Sequence, residues 1–259
     1  MDTLNNKKAV LSQYATSANL NTRISIHEKY STNKLGFANW IFSNYKLNQG
    51  AKVLELGCGT GNMWQNRAEI VAKCSEIVLS DLSEGMLKTA EDNLKEFSAI
   101  EYKIIDIQAI PFEDEHFDIV IANMMLYHVP DIHKTLSEVR RVLKKGGSFY
   151  AATYGERGIM EYLCKSLHDF GVTDKMNKNF TLQNGAKILK KHFANVERLD
   201  YEDSLEITNI DDLVEYIYSL SSMTALSQYP KEEIKHTLSK KQTNGVLSIP
   251  KEYGLFVCC

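Results

Sequence analysis

Prolines are scarce, 4 in 259 residues, and no two cysteines stand in C-x-x-C spacing. The first scarcity removes proline-rich linkers and polyproline recognition tracts. The second leaves Cys58, Cys74, Cys164, Cys258 and Cys259 with neither a disulfide framework nor a zinc-ligand pattern, so reduced thiols and no metal are expected. No apolar run approaches the roughly 20 residues of a spanning helix, and Met1 to Lys8 is polar where a secretory leader would be apolar. The expectation is a cytoplasmic protein without a membrane partner. A formal charge of −3 lacks the basic excess of a nucleic-acid binder, so nucleic acid is not expected as a partner either. Internal repeats and low-complexity tracts are also missing. The terminal Cys258-Cys259 pair has no polybasic stretch that would support a lipid anchor, and Tyr253 to Val257 before it reads as a buried strand.

With 44% hydrophobic residues, the chain can bury the core of one large domain, or of a domain plus a cap. Its organising stretch is Val53-Leu54-Glu55-Leu56-Gly57-Cys58-Gly59-Thr60-Gly61-Asn62. An apolar run closing on an acid, then glycines at alternate positions, predicts a buried parallel strand that turns sharply into a helix. Glycine there lets the backbone approach a ligand closely. The spacing is G-x-G-x-G, not the G-x-G-x-x-G that seats a pyrophosphate on a helix N-terminus. Glu55 would also repel a phosphate and attract an ammonium group. A zwitterionic cofactor fits this better than a dinucleotide.

On these residues the sequence resembles the class I S-adenosylmethionine-dependent methyltransferases, whose first motif is E/D-x-G-x-G-x-G. The resemblance implies S-adenosyl-L-methionine as cofactor, with Glu55, Gly57, Gly59 and Gly61 around its amino-acid end. Ser75 to Asp81 predicts a second strand ending on a carboxylate about 20 residues beyond the glycine turn, the separation at which such sheets bind ribose hydroxyls. Asp81 could instead cap a helix, but Ser83 already fills that role. Asp81-Leu82-Ser83-Glu84-Gly85-Met86-Leu87 is similar to the family's D-x-S-x-x-M-L, which implies Leu82 and Met86 on the adenine wall; Met86 as a helix core residue is compatible with that.

The third strand, Ile100 to Asp106, leads into Ile107, Ile110-Pro111-Phe112 and Phe117-Asp118, similar to the family run D-A-x-x-L-P-F…F-D. The resemblance implies that Asp106 accepts from the adenine amine and that the Ile107 backbone meets the ring. Ile107 replaces the usual small residue. The fourth strand, Phe117 to Asn123, is apolar throughout, as a strand covered on both faces should be. Ligands in open α/β sheets bind beyond the carboxyl ends of the strands, which puts Asn123 to His128 where cofactor and acceptor would meet. His128 is a candidate general base or a structural histidine fixing the next turn. Tyr127 and Tyr154 are the other acceptor-side candidates.

Ile132 to Leu143 predicts a helix stopped by Lys144-Lys145-Gly146-Gly147, and Ser148 to Tyr154 a fifth strand. Beyond it, helices are expected over 157–170, 182–191, 211–220 and 231–241, a bent or doubled strand over 196–208, and a hairpin-like strand over 245–257. Asn62 to Lys73 predicts the first helix of the sheet unit, with Met63 and Trp64 either lining the pocket or in the core. Asn5 to Leu47 is helical in pattern, with Ser31-Thr32-Asn33 as a cap between two helices and Arg23, His27 and Tyr30 on one face. Lid helices in the family often contribute a tyrosine near the cofactor's methionine end; Tyr30 is the first candidate and Tyr14 the second.

The expected fold is α/β, a doubly wound Rossmann-like sheet of seven mostly parallel strands in the order 3-2-1-4-5-7-6, the last antiparallel. A lid over 1–46 would precede a domain over 47–259 with cap insertions at about 155–192 and 209–244. The function this implies is direct in-line methyl transfer to a small-molecule acceptor by a monomer or homodimer. Alternatives are an RNA or protein methyltransferase, disfavoured because Asn123-Met124-Met125-Leu126 lacks the prolines of the N/D-P-P-Y/F motif, and a non-catalytic S-adenosylmethionine-binding protein.

Overall fold

The computed structural model describes residues 18–259, so Tyr14 lies outside the described residues. Two helices come first, α1 (Ala18–Tyr30) and α2 (Phe37–Asn44), then β1 (Lys52–Leu56), a short α3 (Ala68–Val71), β2 (Glu76–Asp81), α4 (Glu84–Asn93), β3 (Ile100–Ile104), β4 (Phe117–Asn123), α5 (Ile132–Val142) and β5 (Leu143–Tyr154). The second half adds α6 (Ile159–Ser166), α7 (Gly185–Leu189), β6 (Val196–Tyr201), β7 (Ser204–Ile207), α8 (Ile210–Ser219), α9 (Lys231–Ser239), β8 (Leu247–Pro250) and β9 (Tyr253–Cys258). Among the described residues no helix is long and apolar enough to cross a membrane.

Seven strands form one sheet in the order β3-β2-β1-β4-β5-β9-β6, parallel except for β9, which runs antiparallel to both neighbours. This is the expected order, with β9 as the seventh strand. The central strands are apolar on both faces because both are covered: Val53, Leu54, Val78 and Val120 are fully buried. Each such side chain stabilises the fold by about 1.5–3 kcal/mol. One face packs under α5, whose Leu136, Val139 and Val142 recur at helical spacing, and carries Phe180, Leu189 and Phe193. The other face receives Ile41 and Phe42 of α2, Trp64, and Leu87 and Ala90 of α4. A third core, away from the sheet, joins Ile26 of α1 to Leu163 of α6, Leu213 and Ile217 of α8, Ile234 and Leu238 of α9, and the β7–β8 pair.

Three expectations are corrected. The helix expected over 62–73 is broken: a single 3-10 turn spans Asn62–Trp64, Asn66 takes a left-handed φ of 60°, and only α3 remains helical. The turn lets Trp64 leave the helix path and enter the core, where it is fully buried. The doubled strand expected at 196–201 and 205–208 is present, as β6 in the main sheet and β7 outside it. The 245–257 segment likewise divides, β8 pairing with β7 while β9 enters the main sheet between β5 and β6. Ser31 to Asn33 do not cap α2, whose N-cap is Gly36; Ser31 bridges to Leu205 and the Thr32 amide donates to the Ser204 carbonyl.

An ion pair holds this junction. Lys251, in the turn between β8 and β9, meets Asp203, in the turn between β6 and β7, with side chains 2% and 0% exposed. Asp203 Oδ1 also accepts from the Asn33 amide (3.0 Å) and the Thr32 hydroxyl (3.1 Å), and Lys251 Nζ donates to the Ser31 hydroxyl (2.8 Å). Removing the cation alone leaves a buried charge. Lys251→Met should therefore destabilise the protein by about 3–5 kcal/mol in urea denaturation, and Lys251→Met combined with Asp203→Leu should recover a large part of that loss.

Candidate active site

The site forms where β1 ends. Gly57, Gly59 and Gly61 all take positive φ, 70°, 57° and 72°. Around Gly61 the chain is tightly packed, and a Cβ there would lie 2.8 Å from Leu94 Cδ1. At Gly57 it would lie 2.9 Å from Met125 Cγ. Gly59 differs: a Cβ there would meet nothing within 4 Å. The middle of the turn thus faces open space, with backbone that L side chains rarely adopt.

Behind the turn sits Glu55, 2% exposed. Its Oε2 accepts from the indole N–H of Trp64 at 2.5 Å. Burial pushes its carboxyl up to about 7, against the lowering effect of hydrogen bonds from Trp64 and Asn123 and with a small contribution from Asp81. No cation faces it among the described residues. Asn123, at the end of β4, donates to the Tyr45 hydroxyl at 2.8 Å, while its Oδ1 is buried with no hydrogen-bond partner among the described residues. A buried carboxylate without a cation and a buried carbonyl oxygen without a donor lie side by side. An ammonium group, with a positive charge and three N–H donors, satisfies both.

Asp81, at the end of β2, ties this turn to the next helix. Its Oδ2 accepts from the Gly59 amide at 3.0 Å and its Oδ1 from the Ser83 amide at 2.9 Å, while burial raises its carboxyl above the usual range. A carboxylate has about four acceptor sites, so these backbone contacts leave capacity for a hydroxyl. Ser83 itself caps α4 by accepting from the Met86 amide. Met86 is buried, Leu82 half-buried, and Asp106 stands one strand over, its Oδ1 accepting from the Gln108 amide at 3.1 Å; Ile107 is buried in the core. The structure therefore gathers Glu55, the three glycines, Asp81, Leu82, Met86, Asp106, Ile107 and Asn123 along the carboxyl ends of adjacent strands β3, β2, β1 and β4.

Tyr30 is not brought to this group. It packs against the third core and its hydroxyl donates to Asp212 of α8 at 2.7 Å. The tyrosine beside Asn123 is Tyr45, just past α2, whose ring lies 4.7 Å from that of Tyr150. Its phenol is pushed well above the ordinary range by burial and by Glu55. Nothing in the local sequence distinguishes Tyr45 for this place. Trp64 was legible as an aromatic at the turn, though not as a donor to Glu55.

Met124 follows β4 with a positive φ of 54°, a backbone state costly for a side-chain-bearing residue and frequent at functional sites. The rings of Tyr127 and Tyr154 lie 4.5 Å apart, as do those of Tyr127 and His128. Asn177 joins them: its side-chain N–H donates to the Tyr127 carbonyl (2.6 Å) and its carbonyl accepts from the Tyr154 hydroxyl (2.7 Å). Burial lowers the His128 imidazole to about 4, so it is neutral at physiological pH. A base with so low a conjugate pKa removes protons poorly, which favours the structural reading of this histidine.

The Glu55 carboxyl has a pH signature. Its folded value near 7 exceeds the ordinary 4.5, so the stability it contributes is full below about 4.5 and is lost as pH rises through 7. Glu55→Gln stays neutral throughout. Its ligand-free melting temperature should match wild type near pH 4.5 and exceed it at pH 8.5, where the ionised carboxylate costs wild type about 3 kcal/mol.

Residues 54–151 match the family described as Methyltransferase domain. Among curated relatives, the ubiquinone/menaquinone biosynthesis C-methyltransferase UbiE of Shewanella oneidensis is 32% identical over 137 residues, 51% of this chain and 54% of that protein. The demethylmenaquinone methyltransferase of Staphylococcus carnosus is 34% identical over 107 residues, 41% of this chain and 44% of that protein. The chain thus spans about half the length of the curated relatives it matches. In fold it is similar to the YcgJ protein of Bacillus subtilis, with a TM-score of 0.58 at 18% identity over 85% of this chain and 96% of that one. The match falls on the strands and loops that build the site, and segment 54–151 is similar to a methyltransferase domain.

Proposed function

We propose that the protein is an S-adenosylmethionine-dependent methyltransferase acting on a small-molecule acceptor. The observation that carries the reading is the buried Glu55 carboxylate beside the orphan Asn123 Oδ1, next to the open middle of the glycine turn. Glu55 and Asn123 would hold the ammonium of the cofactor, the turn around Gly59 its carboxylate side, Asp81 the ribose hydroxyls, and Leu82, Met86, Asp106 and Ile107 the adenine. Trp64 and Tyr45 position the first pair. Tyr30 would reach the cofactor only by giving up Asp212.

When bound, the cofactor supplies an activated sulfonium methyl group. The chain then has to align the acceptor and exclude water, and Met124, Met125, Tyr127 and Tyr154 stand at the strand ends to do so. Tyr127 and Tyr154 present ring faces to an apolar or aromatic acceptor, consistent with the quinone-pathway names of the two relatives, one of them a C-methyltransferase. His128, neutral and half-buried, shapes this wall.

Calorimetric titration separates the parts of the pocket. Wild type should bind S-adenosylmethionine and S-adenosylhomocysteine at micromolar concentration, and Asp81→Ala should lose both. Glu55→Gln should bind S-adenosylhomocysteine about tenfold or more weaker, the value of a charge-assisted hydrogen bond, yet bind 5′-methylthioadenosine, which lacks the amino-acid part, as wild type does. A folded wild type that takes neither cofactor form would overturn the reading.

A further inference from the structure

Far from the glycine turn, two histidines distant in sequence meet at the surface. His133 is the second residue of α5, and its backbone N–H is held by the N-cap carboxylate of Asp131 at 3.0 Å. His192 follows α7, its amide bonded to the Leu189 carbonyl at 2.9 Å. The next residue, Phe193, is buried and stacks on Phe149 of β5 at 5.4 Å. Both backbones are therefore fixed, one by a helix cap and the other by an aromatic anchor in the core.

Between them, His133 Nδ1 and His192 Nε2 are 3.0 Å apart, with ring planes inclined by 27°. In the neutral pair one nitrogen donates and the other accepts. A metal ion needs both lone pairs, which a tautomeric shift of the donor proton to the outer nitrogen provides. Bonds of about 2.1 Å at a right angle place two ligand nitrogens about 3.0 Å apart, while tetrahedral bonds would need about 3.4 Å. The separation is that of neighbouring corners of a square or octahedron.

We propose that His133 and His192 form a two-histidine site for a divalent transition ion of tetragonal or octahedral preference, such as Ni(II), bridging α5 to the segment that leads into β6. No group of three or more His, Cys, Asp or Glu suited to a metal occurs among the described residues, so water fills the remaining positions. That makes the site open and of moderate affinity. Binding an ion requires both rings to turn from the hydrogen-bonded line so that their lone pairs converge.

The test uses the tag-free full chain and Ni(II) as the probe. Titration calorimetry should give one site of micromolar Kd for wild type, weakened at least tenfold in His133→Gln and in His192→Asn. The ion should also raise the wild-type melting temperature by several degrees and leave both variants unmoved, because only a two-point contact links α5 to the following segment. Both substitutions lie at the surface, and circular dichroism checks that each variant is folded. No binding below millimolar Ni(II), or binding that neither substitution weakens, overturns the proposal.

Discussion

A carboxylate enclosed in protein without a cation is among the least comfortable arrangements a fold can hold, and Glu55 is in that position. Much of the surrounding structure bears on it. Trp64 leaves its helix to donate an N–H, the break at Asn66 permits that departure, and Asn123 and Tyr45 close the other side. These partners stabilise the ionised form only partly, since hydrogen bonds lower the carboxyl less than burial raises it. The missing contribution is a positive charge, and the glycine turn next to it is open at Gly59.

The sheet serves the site by bringing chain ends together. Four parallel strands deliver Asp106, Asp81, Glu55 and Asn123 to one edge, although these residues are spread over more than a quarter of the chain. The remainder is fixed by contacts of a different kind. The third core, with α1, α6, α8 and α9, is separate from the two cores on the sheet faces, and the Lys251–Asp203 pair joins the chain after α1 to the turns that leave and re-enter the sheet.

The strands, the glycine turn and the strand-end acids were legible in the sequence because each is local, an apolar run, a turn chemistry and a terminal carboxylate within about ten residues, whereas the strand order came from the family resemblance. Tyr45 and Asn177 were not legible, as their roles come from partners across the fold. Tyr45 meets Asn123 78 residues away, and Asn177 meets Tyr127 50 residues away. Tyr30 shows the opposite failure. Its spacing from Arg23 and His27 was read correctly as one helix face, but that face turns toward α8, where Asp212 engages the hydroxyl. The 245–257 segment read as one hairpin-like strand because period-two patterning is blind to which sheet each half joins; the buried Lys251–Asp203 pair sits at the bend between β8 and β9.

β9 lies between β5 and β6, pairing six residues with each, although it is the last strand of the chain. During synthesis, β1 to β5 can associate as soon as they emerge, yet β5 presents an unpaired edge and β6 has no place in the sheet until residue 253 and those after it arrive. For more than fifty residues of elongation the growing chain therefore carries an open edge lined by Phe149, Ala151 and Thr153. The closing strand acts as a late key to the fold, and a ribosome that stalls within the preceding cap would hold a chain exposed to pairing with its neighbours.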